Sequence, residues 1–217
     1  MKPIRTVLAT CLLLLAGCAS VSKPVFPSQY ALTVTAPPAA AAQLPSAGRG
    51  VLQVARIDAP PWLQGTALYY RLAYRQDGSM GAYARSEWLA PPARMLEPLV
   101  RETLARDRIW RVVVGPATGT NADTSLHIRL DDFSQVFASP DTSQGVLDAT
   151  ATLVDNSNGD AIAQRHFHVE VAAPSADATG GVGALDQASR QFIAQLQQWV
   201  RGAARPSDAQ PSVRRWR

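Results

Sequence analysis

The chain has 217 residues, of which 47% are hydrophobic, and only two cysteines; that length suits one domain with a substantial core plus tails. Its formal charge of +4 is concentrated at the ends: Lys2 and Arg5 at the start, and Arg201, Arg205, Arg214, Arg215 and Arg217 against Asp208 at the finish. Without those residues, the totals of 21 bases and 17 acids fall to 14 and 16, which excludes the basic face that nucleic-acid binding needs.

The first twenty residues read MKPIRTVLATCLLLLAGCAS. Lys2 and Arg5 form a short positive n-region, and Val7 to Leu15 an apolar run shorter than the about 20 residues that span a bilayer. This is the pattern of a secretory signal. The run closes in Leu15-Ala16-Gly17-Cys18, which resembles the lipobox of bacterial lipoproteins. The resemblance implies diacylglycerol on the Cys18 thiol, cleavage before it, residues 1–17 as signal peptide and residues 18–28 as a lipidated tether. Each buried lipid CH₂ contributes about 0.8 kcal/mol, and stable anchoring takes more than one acyl chain. A lipoprotein cysteine carries such a set, palmitate included. Ala19 lacks the acidic character that favours inner-membrane retention in enteric bacteria, so the outer membrane is the expected address. Cys11 leaves with the signal, so the mature chain has no cysteine besides Cys18 and cannot form an internal disulfide.

Beyond the tether, Tyr30–Thr35 alternates as a strand, and the Pro/Ala-rich 36–50 reads as a loop. Val51–Ile57 alternates again. Then APPWLQGT places a proline pair and Trp62 in a turn before a strand over Ala67–Arg75. Asp77-Gly78 is a hairpin turn, with a return strand over Gly81–Trp88. Pro91-Pro92 opens a helix in which Met95, Leu96, Leu99, Val100 and Leu104 recur at helical spacing. Ile109–Val114 is a short strand. Three longer ones follow over Ser125–Ala138, Gly145–Val154 and Ala161–Val171, the last two joined by the turn NSNG. APSADATGG reads as a loop, and Gly183–Arg201 as a helix with an apolar stripe of Leu185, Ala188, Phe192, Leu196 and Trp199. These elements predict a single α+β domain over 29–200, a mostly antiparallel sheet with two helices packed on it. Residues 201–217, RGAARPSDAQPSVRRWR, read as a basic disordered tail.

No catalytic constellation emerges. There is no G-x-S-x-G elbow. Asp131 and Asp132 are adjacent in a strand, so alternation sends their carboxylates to opposite faces. Thr179-Gly180-Gly181-Val182-Gly183 lacks the Gly-Lys-Ser/Thr ending of a phosphate loop and reads as a flexible lead into the helix. His166 and His168 share one strand face, but no third metal ligand is identifiable, and the polar sheet face accounts for both. The expectation is therefore no catalytic, metal or cofactor residue. What remains is aromatic: Trp62, Tyr69 and Tyr70 beside a proline-stiffened turn, a candidate contact for a partner or a lipid chain. Pattern alone leaves Trp62 equally consistent with core and with contact surface.

In order, the lipobox, YALTVTAPP, VLQVARIDAPPWLQGTALYYRL, YARSEWLAPPARMLEPLVRETLA, GVLDATATLVDNSNGDAIAQRHFHVEV and GGVGALDQASRQFIAQLQQWV resemble the ABC-type transport auxiliary lipoproteins, the PqiC-like partners of MCE-type lipid transport systems. The resemblance implies a non-enzymatic adaptor on the periplasmic side of the outer membrane, docked to an MCE-domain subunit. Because some members form rings, it also implies a homo-oligomer. The competing expectation is a stand-alone periplasmic lipid carrier with an acyl pocket between sheet and helices.

Overall fold

A computed structural model describes residues 26–33, 48–75, 77–116 and 119–203. Eight strands, β1 (Ser28–Tyr30), β2 (Arg49–Val54), β3 (Ala67–Leu72), β4 (Met80–Trp88), β5 (Trp110–Val114), β6 (Thr124–Ser139), β7 (Thr142–Asp155) and β8 (Ala161–Ala172), form one sheet. Helices α1 (Pro92–Arg106) and α2 (Ala178–Ala203) complete the domain. The fold is α+β, as the element pattern predicts, and most of the sheet's paired length is antiparallel, in the β6–β7–β8 meander.

The organising element is β6. One edge pairs with β7 along nearly its whole length. The other edge is shared: β2 pairs in parallel with its first half, Leu52 against Thr124, and β3 in parallel with its second half, Leu72 against Phe137. From β3 the sheet continues through antiparallel β4 to parallel β1; from β2 it continues to parallel β5. Local periodicity carries no information on such long-range parallel pairings, and the sequence pattern did not foretell them.

Both helices cover one face. The α2 stripe is buried as its spacing requires, and Leu185, Phe192, Ile193, Leu196 and Val200 face Leu147, Ala149, Ala151, Phe167 and Val169 in one core cluster. Burial of each large side chain contributes roughly 1.5–3 kcal/mol. The Phe167 ring meets Phe192 and Trp199 edge-on at 5.4 and 5.9 Å, and Trp88 packs on Phe133 at 5.4 Å. The interior expected by a carrier reading to hold an acyl chain is thus filled by rings and branched side chains.

Several boundaries differ from the sequence reading: the strand expected over Tyr30–Thr35 lies at Ser28–Tyr30 with residues 31–33 outside it, those expected over Val51–Ile57 and Ala67–Arg75 end at Val54 and Leu72, and both ends of α2 shift. The glycine run at 180–183 lies inside α2, not in a loop before it, because Asp177 caps the helix by accepting from the Gly180 amide at 2.8 Å. At the other end α2 runs two residues past the expected helix end, to Ala203, and takes in Arg201, which the sequence reading makes both the last helical residue and the first of the tail. With Gln197, Arg201 donates to Asp107 at the end of α1, a carboxylate only 3% exposed, and so ties the two helix ends together. Arg108, immediately after, has φ +53, the left-handed conformation that terminates helices and is usually given to glycine. The rest of the proposed tail, the signal peptide, most of the tether including Cys18, and the end of the YALTVT strand lie outside the described residues.

Candidate functional site

The face of the sheet away from the helices carries the polar chemistry. Side chains alternate, so Leu68 and Tyr70 of β3 point toward the helices and Tyr69 and Arg71 away from them. On the helix side Tyr70 stacks between Tyr83 and Phe137 at 5.0 and 6.1 Å, directly over Gly81. Tyr69 instead meets Trp62 edge-on, with ring centroids 5.3 Å apart. The structure therefore brings two of the three sequence-predicted aromatics together and sends Tyr70 to the other side.

The proline–tryptophan turn has a topological cause. Between its pairings at Leu52 and Leu72 the chain advances 20 residues, while β6 advances 13, from Thr124 to Phe137. The surplus bulges out as a 3-10 turn at Pro61–Leu63, held by the Leu63 amide on the Pro60 carbonyl at 2.9 Å. Proline fixes φ and presets the turn. The segment stays pinned to β6 through Asp58, whose amide donates to Ile128 and whose carbonyl accepts from Leu130. Leu63 plugs into the core at 1% exposure, while Trp62 is half-buried at the core's margin.

Beside this pair lies an open groove of about 450 Å³ lined by Arg71, Asp132, Val146, Asp148, His168 and Glu170, among others. The Arg71 guanidinium pairs with Asp132 and reaches the Ser134 hydroxyl at 3.5 Å. Burial raises the Asp132 carboxyl above the ordinary carboxylate value, against the opposing pull of the Ser134 hydrogen bond and the Arg71 charge. His168 sits between two carboxylates, with Nδ1 2.7 Å from Asp148 Oδ1 and Nε2 3.0 Å from Glu170 Oε1. A carboxylate only accepts, so both nitrogens are satisfied only when both carry protons. The hydrogen bond to Asp148 and then that to Glu170 accordingly raise the His168 pKa. His166 approaches the same Asp148 oxygen at 3.3 Å. Both histidines lie on the polar face, as the strand pattern indicates.

Asp131 departs from the alternation rule. The β6–β7 register shifts between Leu130 and Asp132, a bulge that takes up one residue. Asp131 accepts from Arg129 at 2.6 Å and Thr150 at 3.4 Å, so its carboxylate shares the polar face with that of Asp132 instead of opposing it. Sequence alone gave no sign of the bulge. The groove residues are engaged with one another, none is placed as a nucleophile beside a base, and among the described residues no group of three His, Cys, Asp or Glu side chains is arranged to hold a metal. No helix among the described residues is long and apolar enough to cross a membrane.

Comparison with solved structures identifies the fold. A Xanthomonas campestris protein of the DUF330 family superimposes with a TM-score of 0.67 at 24% identity, over 81% of this chain and 96% of that one. An uncharacterised protein does so at 0.60 and 19% identity, over 81% and 99%. These likenesses establish a shared fold. The chain belongs to the family of ABC-type transport auxiliary lipoprotein components, whose model matches residues 30–197. Among curated proteins none matched.

Proposed function

We propose that this chain is an outer-membrane lipoprotein, anchored through Cys18 and facing the periplasm, that serves as the non-enzymatic adaptor of an MCE-type ABC system for intermembrane lipid transport. The observation that carries the reading is the family match over residues 30–197, joined to a lipobox at residues 15–18. The filled interior between sheet and helices favours docking over carriage of an acyl chain. The Trp62–Tyr69 pair, held at the sheet margin by a proline-stiffened turn, offers the rigid aromatic contact that interfaces favour. A ring of copies is the arrangement in which such an adaptor would receive the end of an MCE-domain tunnel.

The test is a pull-down of the tagged full-length protein in mild detergent, with partners identified by mass spectrometry. Co-recovery of an MCE-domain subunit supports the adaptor. Recovery of the protein alone with its acyl chains intact overturns it, and tightly held phospholipid in that preparation moves the assignment to the carrier.

A further inference from the structure

We infer that the β3–β4 hairpin end of the domain, carrying Tyr74 and Met80, rests in the headgroup region of the membrane to which Cys18 is anchored. The inference rests on the acylation of Cys18 proposed above. Its first support is topological. Strand β1 runs parallel to β4, with Ser28 opposite Ser86. The chain therefore enters β1 from the side on which β4 begins, which is the side of the hairpin turn. Met80, at the start of β4, pairs with Arg71 of β3 and Glu87, beside Ser86, pairs with Ala67 across an irregularity in β4, so the strand carries Met80 about 13 Å toward the incoming tether. Ser28 lies ten positions after Cys18, a reach of at most about 35 Å. An upright domain therefore spends about a third of that reach passing its own hairpin, which leaves the hairpin turn within about 22 Å of the lipidated sulfur. The opposite end of the sheet, at the β7–β8 turn, lies a further roughly 50 Å away along the 16 residues of β6.

The second support is chemical. Tyr74 and Met80 are 45% and 43% exposed, and Phe26, two residues before β1 on the incoming chain, is 82% exposed. An amphipathic ring and a flexible thioether suit the boundary between headgroups and acyl chains. Charge at this end has no cationic excess: Arg75 pairs with Asp77 at 3.3 Å, Asp141 stands in the β6–β7 turn, and Asp177 is committed to its helix cap. The contact is therefore apolar, indifferent to salt and to anionic lipid.

The sequence supplies a clean probe. With Cys11 removed and Cys18 acylated, a cysteine introduced elsewhere is the sole free thiol. Tyr74→Cys, Met80→Cys and, as a control at the far end, the exposed Ile162→Cys are each labelled with an environment-sensitive NBD group. The mature acylated protein is then reconstituted into phosphatidylethanolamine–phosphatidylglycerol vesicles with or without nitroxide-labelled lipid. The N-terminal peptide mass reports acylation. The expected result is blue-shifted emission that roughly doubles at 74 and 80 and is quenched by the nitroxide lipid, with label 162 unaffected by either. Labels 74 and 80 that behave like label 162, whether all quenched or none, overturn the inference while leaving the adaptor reading untouched, because no transport partner is present. Absence of the acyl mass overturns the inference together with the anchoring on which it stands.

Discussion

Gln135 lies directly beneath Gly181. A Cβ at position 181 would stand 2.0 Å from the Gln135 Oε1 atom, and the amide cannot swing aside. Its oxygen accepts from the Tyr83 hydroxyl at 2.9 Å, and its nitrogen donates to Ser143 at 2.7 Å, while Gln135 itself is at zero exposure. Partial burial of the Tyr83 phenol pushes its pKa up to about 12. Gly181 is thus the place where α2 comes down onto β6, and a side chain there either lifts the helix or breaks a satisfied buried network.

Gly181→Ala is expected to cost about 1–3 kcal/mol, the range for overpacking. Gly183, two residues on, is its control: nothing lies within 4 Å of its Cβ position. Gly183→Ala should gain about 0.5–1 kcal/mol, as glycine replaced in a helix interior does. Urea midpoints of the two variants should move in opposite directions.

For Trp62 the half-buried placement sets a magnitude between core and surface. Trp62→Ala should cost about 1–2 kcal/mol, below the 3–5 typical of a fully buried ring, a range that Trp88→Ala, at 1% exposure against Phe133, should reach. A double-mutant cycle with Tyr69→Ala should return a coupling of about 0.5–1.5 kcal/mol. If the cycle gives no coupling, the rings are not in contact in solution.

His168 makes stability depend on pH with a definite sign. Its folded pKa is raised by Asp148 and Glu170, so the stabilisation is fully present below the unfolded value of about 6.5 and is lost as pH rises through the folded value. The stability gap between wild type and His168→Gln should therefore be widest between about pH 5 and 6.5 and close above the folded pKa. Asp148→Asn should bring the His168 titration, followed by NMR, back toward 6.5.

Arg108→Gly should stabilise the chain by about 1 kcal/mol, the cost of holding a side-chain-bearing residue in the left-handed region. The position is exposed at the end of α1, with φ +53, so no packing opposes the gain. Differential scanning calorimetry checks it: an unchanged or lowered midpoint would mean that the Arg108 side chain contributes more than its backbone costs.

The elements that sequence reveals here are those whose signals are local. The stripe through Leu185, Phe192 and Leu196 and the turn at 156–159 mark α2 and the β7–β8 hairpin, and Pro91-Pro92 marks the start of α1. The glycines of α2 misled because helix propensity prices each alone, whereas Gly181 is set by the distant Gln135. Strict alternation separated Asp131 from Asp132, and a single bulged residue rejoined them. Trp62 and Tyr69 were legible as a pair, being close in sequence. The groove of Arg71, Asp132, Asp148 and His168 was not, since it draws on four strands whose order only the folded sheet reveals.

The three-residue strand β1 has a mechanical meaning. It is the link between whatever holds the N-terminus and the rest of the domain. It lies alongside β4 and is backed by Thr33, whose amide and hydroxyl both donate to the buried Asp186 of α2, at 2.7 and 2.8 Å. A pull along the tether loads the β1–β4 hydrogen bonds in shear, so that they resist together and do not peel apart one by one. It passes the load through Asp186 to the longest helix. A domain loaded through β1 in this way transmits force along its strands without first unfolding its edge.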